Sequence, residues 1–201
     1  MNYINQLKRM NENMFIQEIA LNELRIYFYI DDSTIDPEIY YKMQQEGKQF
    51  HIFRVVRGKE EETATFHEEK QAYLFLGILA LFDGELVPVP NELLEIDESD
   101  ESDLLYLKKV VLKYIDSKYF SINAIRRNAI CLLKDSAYRI YFVDCHGKKH
   151  LISVDEDLGR GIGIMANYAW ILQCISKHMK KWRVRWNDEV LHVVKEILDV
   201  V

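Results

Sequence analysis

The spacing between β-branched, aromatic runs constrains this chain more than any other feature. In the first half "LRIYFYI" (Leu24 to Ile30) precedes "FHIFRVV" (Phe50 to Val56), which passes through "RGKEE" straight into "TATF". In the second half "AYRIYFVD" (Ala137 to Asp144) passes through "CHGKK" into "HLISVD" (His150 to Asp155). Connections this short suit antiparallel hairpins, because parallel neighbours need a crossover of a dozen or more residues. No crossover helix separates these runs, so a doubly wound parallel sheet is disfavoured. The expected fold class is α+β: two small lobes, each an antiparallel sheet with a helix over one face.

Strand, Gly-Lys turn, strand, helix occurs twice in that order, with the turns at Gly58-Lys59 and Gly147-Lys148. The helices would be "AYLFLGILALF" (Ala72 to Phe82) with its preceding turn and a segment from about Gly161 to His178. This recurrence fits a diverged internal duplication, and it also fits two unrelated modules of a common kind. The breaks around the strands are assigned to Asp31, Asp32, Pro37 and Gly58. Leu104, Leu107, Val111, Leu112 and Ile115 recur at three- and four-residue intervals and predict an amphipathic helix. Val190, Leu191, Val194, Ile197 and Leu198 predict a terminal one, with Asn187 or Asp188 as its cap. "AIRRNAICLLKD" (Ala124 to Asp135) suits a helix or a strand equally.

Charge suggests a boundary. The net charge is −6, but residues 1–103 hold 9 Lys and Arg against 22 Asp and Glu, a net of −13, and residues 104–201 hold 17 against 10, a net of +7. Near the division, Pro88 and Pro90 restrict the backbone, and "DESDESD" (Asp97 to Asp103) concentrates like charge without apolar periodicity. The expected domains are therefore an acidic α+β lobe over 1–96, an acidic linker or helix cap over 97–103, and a basic α+β lobe over 104–201. Opposite charges either let the lobes pack on each other or equip each for its own partner.

With 201 residues, 49% of them hydrophobic and 29% charged, the chain reads as an ordinary globular protein. No apolar run reaches the length of about 18 residues that a membrane span needs. The first residues carry no signal-peptide pattern, so the expected location is the cytoplasm. Cys131, Cys145 and Cys174 are odd in number and widely spaced, which indicates neither a disulfide framework nor a zinc knuckle but reduced thiols.

Four stretches compete as sites. Gly159, Gly161 and Gly163 in "VDEDLGRGIGIMANYAW" lack the GxGxxG spacing, and Asp155, Glu156 and Asp157 would repel a phosphate. Gly159 or Gly161 is expected in a left-handed turn and Gly163 at a close approach of helix to sheet. In "KHMKKWRVRW", Lys177, Lys180, Lys181, Arg183 and Arg185 alternate with Trp182, a mixture that suits phosphates and bases. The same run suits a helix C-terminus continuing into an edge strand, with Trp182, Val184 and Trp186 facing inward. His146 and His150 flank a turn that Gly147 explains without a metal. The acidic half offers Glu60, Glu61, Glu62, Glu68 and Glu69, together with Asp31, Asp32, Asp36, Tyr40 and Tyr41, a composition suited to a protein interface.

No nucleophile elbow, metalloprotease helix or catalytic carboxylate pair is present, so no catalytic residue, metal or cofactor is assigned. The function expected from these residues is a noncatalytic protein-binding module, of an immunity or inhibitor type, that engages a basic partner through its acidic lobe. A nucleic-acid-associated regulatory protein acting through Lys177 to Arg185 is the alternative, and an enzyme with an inter-lobe site is the third. The expected partner is another protein, with nucleic acid second and no membrane; the sequence sets no oligomeric state.

Overall fold

A computed structural model describes residues 3–11, 13–20, 22–29, 34–84, 87–97 and 103–200. Its elements in chain order are α1 (Tyr3–Leu7), β1 (Met14–Ala20), β2 (Glu23–Tyr29), β3 (Ile35–Glu46), β4 (Gln49–Val56), β5 (Lys59–Phe66), α2 (Glu69–Asp83) and α3 (Asn91–Asp97). Then come α4 (Leu104–Tyr114), β6 (Phe120–Ile122), β7 (Ala129–Lys134), β8 (Tyr138–Val143), β9 (Lys149–Asp155), α5 (Leu158–Trp182) and α6 (Asp188–Ile197). The class is α+β, with two regions that each combine a sheet and helices.

The chain forms two compact units, neither of them continuous in sequence. One comprises Met1–Val87 with His178–Val193, the other Pro88–Lys177 with Val194–Val201. The division therefore does not follow the expected cut at 97–103, and the charge asymmetry goes with it. The first unit holds 13 Lys and Arg against 17 Asp and Glu, a net of −4, and the second 13 against 15, a net of −2. Lys180, Lys181, Arg183 and Arg185, expected in the basic lobe, belong to the unit that holds most of the expected acidic lobe.

In the first unit β1 to β5 form an antiparallel meander in sequence order. Alternation sends one parity of each strand toward α2: Leu24 pairs with Met43, Met43 with Ile52 and Ile52 with Ala64, and all four are buried. Phe66 stacks on Phe75 of α2 at 5.5 Å. Every position of that helix from Gln71 to Leu81 except Tyr73 is buried, so it is apolar nearly all round. Each large side chain removed from water in this way is worth roughly 1.5–3 kcal/mol. At Gly77 an added Cβ would lie 2.7 Å from both Leu7 Cδ2 and Met10 Sδ, which shows how closely the N-terminal segment lies on α2.

β3 corrects the sequence reading, which placed a break at Pro37. A twelve-residue strand begins at Ile35, and the proline is tolerated because it falls where regular pairing lapses: the register with β2 shifts between Tyr27 and Tyr29, and pairing with β4 starts only at Ile39. A missing N–H costs nothing where no ladder bond is due.

The second unit carries a four-stranded sheet, β6-β7-β8-β9, in which only β6 and β7 are parallel. "NAICLL" resolves as the strand β7, with Ala129 to Leu132 buried. Asp103 caps α4 as expected, its carboxylate accepting from the amides of Leu105 and Tyr106. The α4 stripe is shifted from the predicted one: Leu107, Val110 and Val111 are buried, whereas Leu112 is exposed. The acidic stretch expected as linker or helix cap, 97–103, begins at the last residue of α3 and ends at the α4 cap Asp103, and its residues 98–102 lie outside the described residues. Gln173 of α5 donates to the Tyr114 carbonyl and accepts from the Asp116 amide, tying α5 to the end of α4.

The three glycines of the opening candidate lie inside α5, buried, and none has a positive φ, so the expected left-handed turn does not occur. Asp157 precedes the helix and its carboxylate accepts from the Arg160 amide, so a residue of the chain itself occupies the helix start. The close approach is real but sits at Gly161, where an added Cβ would lie 3.3 Å from Tyr138 Cβ. "WRVRW" is likewise no strand. α5 ends in a six-to-one, five-to-two bond pair, from the Val184 amide to the Met179 carbonyl and from the Arg183 amide to the Lys180 carbonyl, with Arg183 at φ 55°. Burial still alternates there, Trp182 being inside and Arg183 and Arg185 exposed, but a helix stop produces it.

Candidate functional site

β5 is one of the two edges of the first unit's sheet, β1 being the other, and among the described residues no strand pairs with its far side. Its main-chain orientation follows from two tight turns. Arg57 and Gly58 have φ of 51° and 77°, the signature of a type I′ loop, and Gly47 at 61° begins the loop between β3 and β4. Two-residue loops make their flanking pairs, Val56 with Lys59 and Glu46 with Gln49, hydrogen-bonded pairs. Alternation then bonds Glu61 to β4 and turns the N–H and C=O of Glu60 and Glu62 outward. The register shift opposite Ile52 and Phe53 skips Thr63, after which Thr65 faces outward as well.

Beside this edge lies the start of α6, and between them runs an open groove of about 480 Å³. Glu62, Thr63, Ala64 and Thr65 form one wall, and Asp188, Glu189 and His192 the other. The lining therefore holds three carboxylates and neither Lys nor Arg. Sequence places the walls far apart, and side-chain bonds tie the start of α6 to the β5–α2 segment. Glu189 Oε1 lies 2.6 Å from His67 Nδ1, and Glu189 Oε2 accepts from the His67 amide. Asn187 caps α6, its Oδ1 accepting from the Val190 amide, and its Nδ2 donates to Gln71 of α2. On the strand wall, the Thr65 hydroxyl donates to Glu62 Oε1 at 2.5 Å and His51 Nδ1 lies 2.8 Å from the same oxygen. Those contacts from His51 and Thr65 hold the Glu62 carboxyl below its ordinary value.

Of the residues assigned to a protein interface, Glu60, Glu61 and Glu62 lie together on β5, and Glu68 and Glu69 open α2 just beyond it, all five exposed. Glu60 pairs with the buried Lys42 at 2.6 Å, and Lys42 Nζ also lies 4.6 Å from the Phe53 ring. Glu68 accepts from Gln71 Nε2. Asp36, near the start of β3, accepts from the Glu38 amide. Tyr40 lies on the face away from α2, its ring 4.9 Å from Tyr27 and 5.1 Å from the Arg25 guanidinium carbon. Tyr41 has to be removed from the surface set. It is 4% exposed, on the α2 side, and burial together with Asp83 raises its hydroxyl well above the ordinary range despite Arg54. Asp31 and Asp32 lie outside the described residues.

For the basic stretch, Lys177, Lys180, Lys181, Arg183 and Arg185 are exposed. Trp182 is 3% exposed and stacks on Tyr3 at 6.0 Å, so it offers no ring face to a base. Asp188, Glu189, His192 and His67 are the site residues that sequence reasoning missed. Their only local signal was acidic residues at a helix start, which reads as favourable helix electrostatics.

His146 and His150 prove to be separate. His150 is buried with its Nε2 2.9 Å from Asp144 Oδ2, while the other Asp144 oxygen accepts from the amides of His146 and Lys148. Among the described residues no group of three or more His, Cys, Asp and Glu is placed to hold a metal ion, and no helix is long and apolar enough to cross a membrane. Cys131, Cys145 and Cys174 form no disulfide.

No family model, no characterised protein and no solved structure matches this chain.

Proposed function

We propose that this protein is a noncatalytic binding module of the inhibitor or immunity type, which engages a basic protein through the acidic side of its first unit. The observation that carries the reading is the groove beside β5, walled by Glu62, Asp188 and Glu189 with no Lys or Arg in its lining. Glu60, Glu61, Glu68 and Glu69 extend the same sign of charge around it. The unit's net charge of −4 is modest, so local concentration rather than overall charge supplies the field. Complementary charge of this kind speeds encounter and selects against acidic partners.

The test is retention and identification of a partner on the immobilised protein from its native source, followed by titration of that partner against the variant E60K/E61K/E62K. Charge reversal should weaken binding at least about tenfold and flatten its dependence on salt, as screening of rim charges requires. A partner that binds the variant equally well sinks the reading. Oligonucleotide binding that disappears in K180E/K181E/R183E would replace it with the nucleic-acid alternative.

A further inference from the structure

Resting on that reading, we infer that the basic partner contributes an extended segment that adds to β5 as a sixth strand, lying in the groove against α6. Charge alone would accept any cationic surface, but this edge offers more. Glu60, Glu62 and Thr65 present main-chain donors and acceptors outward, and the intervening register shift leaves Thr63 beside them. The wall opposite is the first turns of α6, through Asp188, Glu189 and His192, so an incoming strand would be bounded on its far side by carboxylates.

The edge from Glu60 to Thr65 accommodates about six residues of extended chain, close to 20 Å at the rise of a strand. Lys or Arg at alternate positions would set their charges toward Glu62, Asp188 and Glu189, while the main chain bonds to β5.

A second copy of this chain is the wrong occupant. Pairing two β5 edges would set Glu60, Glu61 and Glu62 of one copy against acidic residues of the other, and like charges placed opposite each other oppose pairing. The same carboxylates that repel a second copy attract a basic strand. The chain's own basic run cannot serve either, because it forms the end of α5 and its helix stop.

The closing experiment uses the full chain and a synthetic peptide of about eight residues alternating Lys with Val. A second version is N-methylated at every other amide, in each of the two possible phases. Strand addition predicts that one phase binds at least about tenfold more weakly than the unmodified peptide, since several main-chain bonds are lost together. It also predicts that the unmodified peptide slows amide exchange at Glu60, Glu62 and Thr65 at least about tenfold.

The variant E62Q/D188N should weaken both peptides, which reports the acidic wall. If both N-methylated phases bind like the parent and the three amides stay unprotected, strand addition is overturned while the acidic-surface reading stands. If the unmodified peptide binds no tighter than about 1 mM, strand addition is overturned outright. The acidic-surface reading then depends on the native partner and its charge-reversal titration.

Discussion

The β4–β5 and β8–β9 hairpins share the order strand, Gly-Lys turn, strand, helix, yet they are held by different means. In the first, the chain reverses in two residues, Arg57 and Gly58, and main-chain geometry does the work. The ionisable pair beside it, His51 with Glu62, is peripheral, and the Glu62 side chain is 48% exposed. In the second, the turn spans Asp144 to Lys148, and a carboxylate at 2% exposure organises it by accepting from two amides and contacting the buried His150. One layout can therefore be closed by backbone preference at a surface or by a satisfied polar knot in a core. The first leaves its acid available to a partner, and the second spends its acid on the fold.

Asp144→Ala should break this contrast most severely. It strands the His146 and Lys148 amides and leaves His150 buried without its carboxylate, so a loss of about 3 kcal/mol is expected in denaturant unfolding of the second unit. Acid should reveal the same knot. Burial alone would raise the Asp144 carboxyl, but bonds from His150, Lys148 and His146 outweigh it and hold the group below its ordinary value. A depressed folded value means that this stabilisation is complete above about pH 3.9 and is lost as pH falls through the lower folded value. Asp144→Asn should remove that acid-dependent component, readable as a flatter stability profile below about pH 4.

The turn glycines sharpen the comparison at smaller scale. Gly147→Ala at φ 88° meets both backbone strain and Arg127 Nε 3.3 Å from the new Cβ, so about 1–2 kcal/mol should be lost. Gly58→Ala at φ 77° meets open space and should lose about 1 kcal/mol from strain alone. Glu62→Ala should be the mildest for stability, below about 0.5 kcal/mol once solvent screening of so exposed a pair is allowed for. Its consequence is expected in partner affinity instead. A thermal-shift series over the four variants would order them.

The hairpins were legible because short spacing and Gly turns are local signals, and so were the caps at Asp103 and Asn187. β3 was hidden by Pro37, whose usual meaning is a break, at a place where pairing had already lapsed. "WRVRW" misled for the opposite reason: alternating burial mimicked a strand, while the stop at Arg183 depends on bonds to Met179 and Lys180 that no two-residue period reveals. Half of the candidate site could be read, because Glu60 to Glu62 form a visible run. The other half could not, since His67 and Glu189 are 122 positions apart and only the fold brings them to 2.6 Å.

The discontinuity of the first unit also orders events in time. As the chain leaves the ribosome, the five-stranded sheet and α2 emerge early, but His178–Val193 follows only after about 90 further residues. At typical synthesis rates of about 5–20 residues per second, that is an interval of roughly 5–20 s. Throughout it, β5 has no α6 beside it, and its acidic residues are the device on hand against pairing with another nascent chain. The groove wall formed by Asp188, Glu189 and His192 arrives only after that interval, so a partner that needs both walls can engage only a chain synthesised past His192.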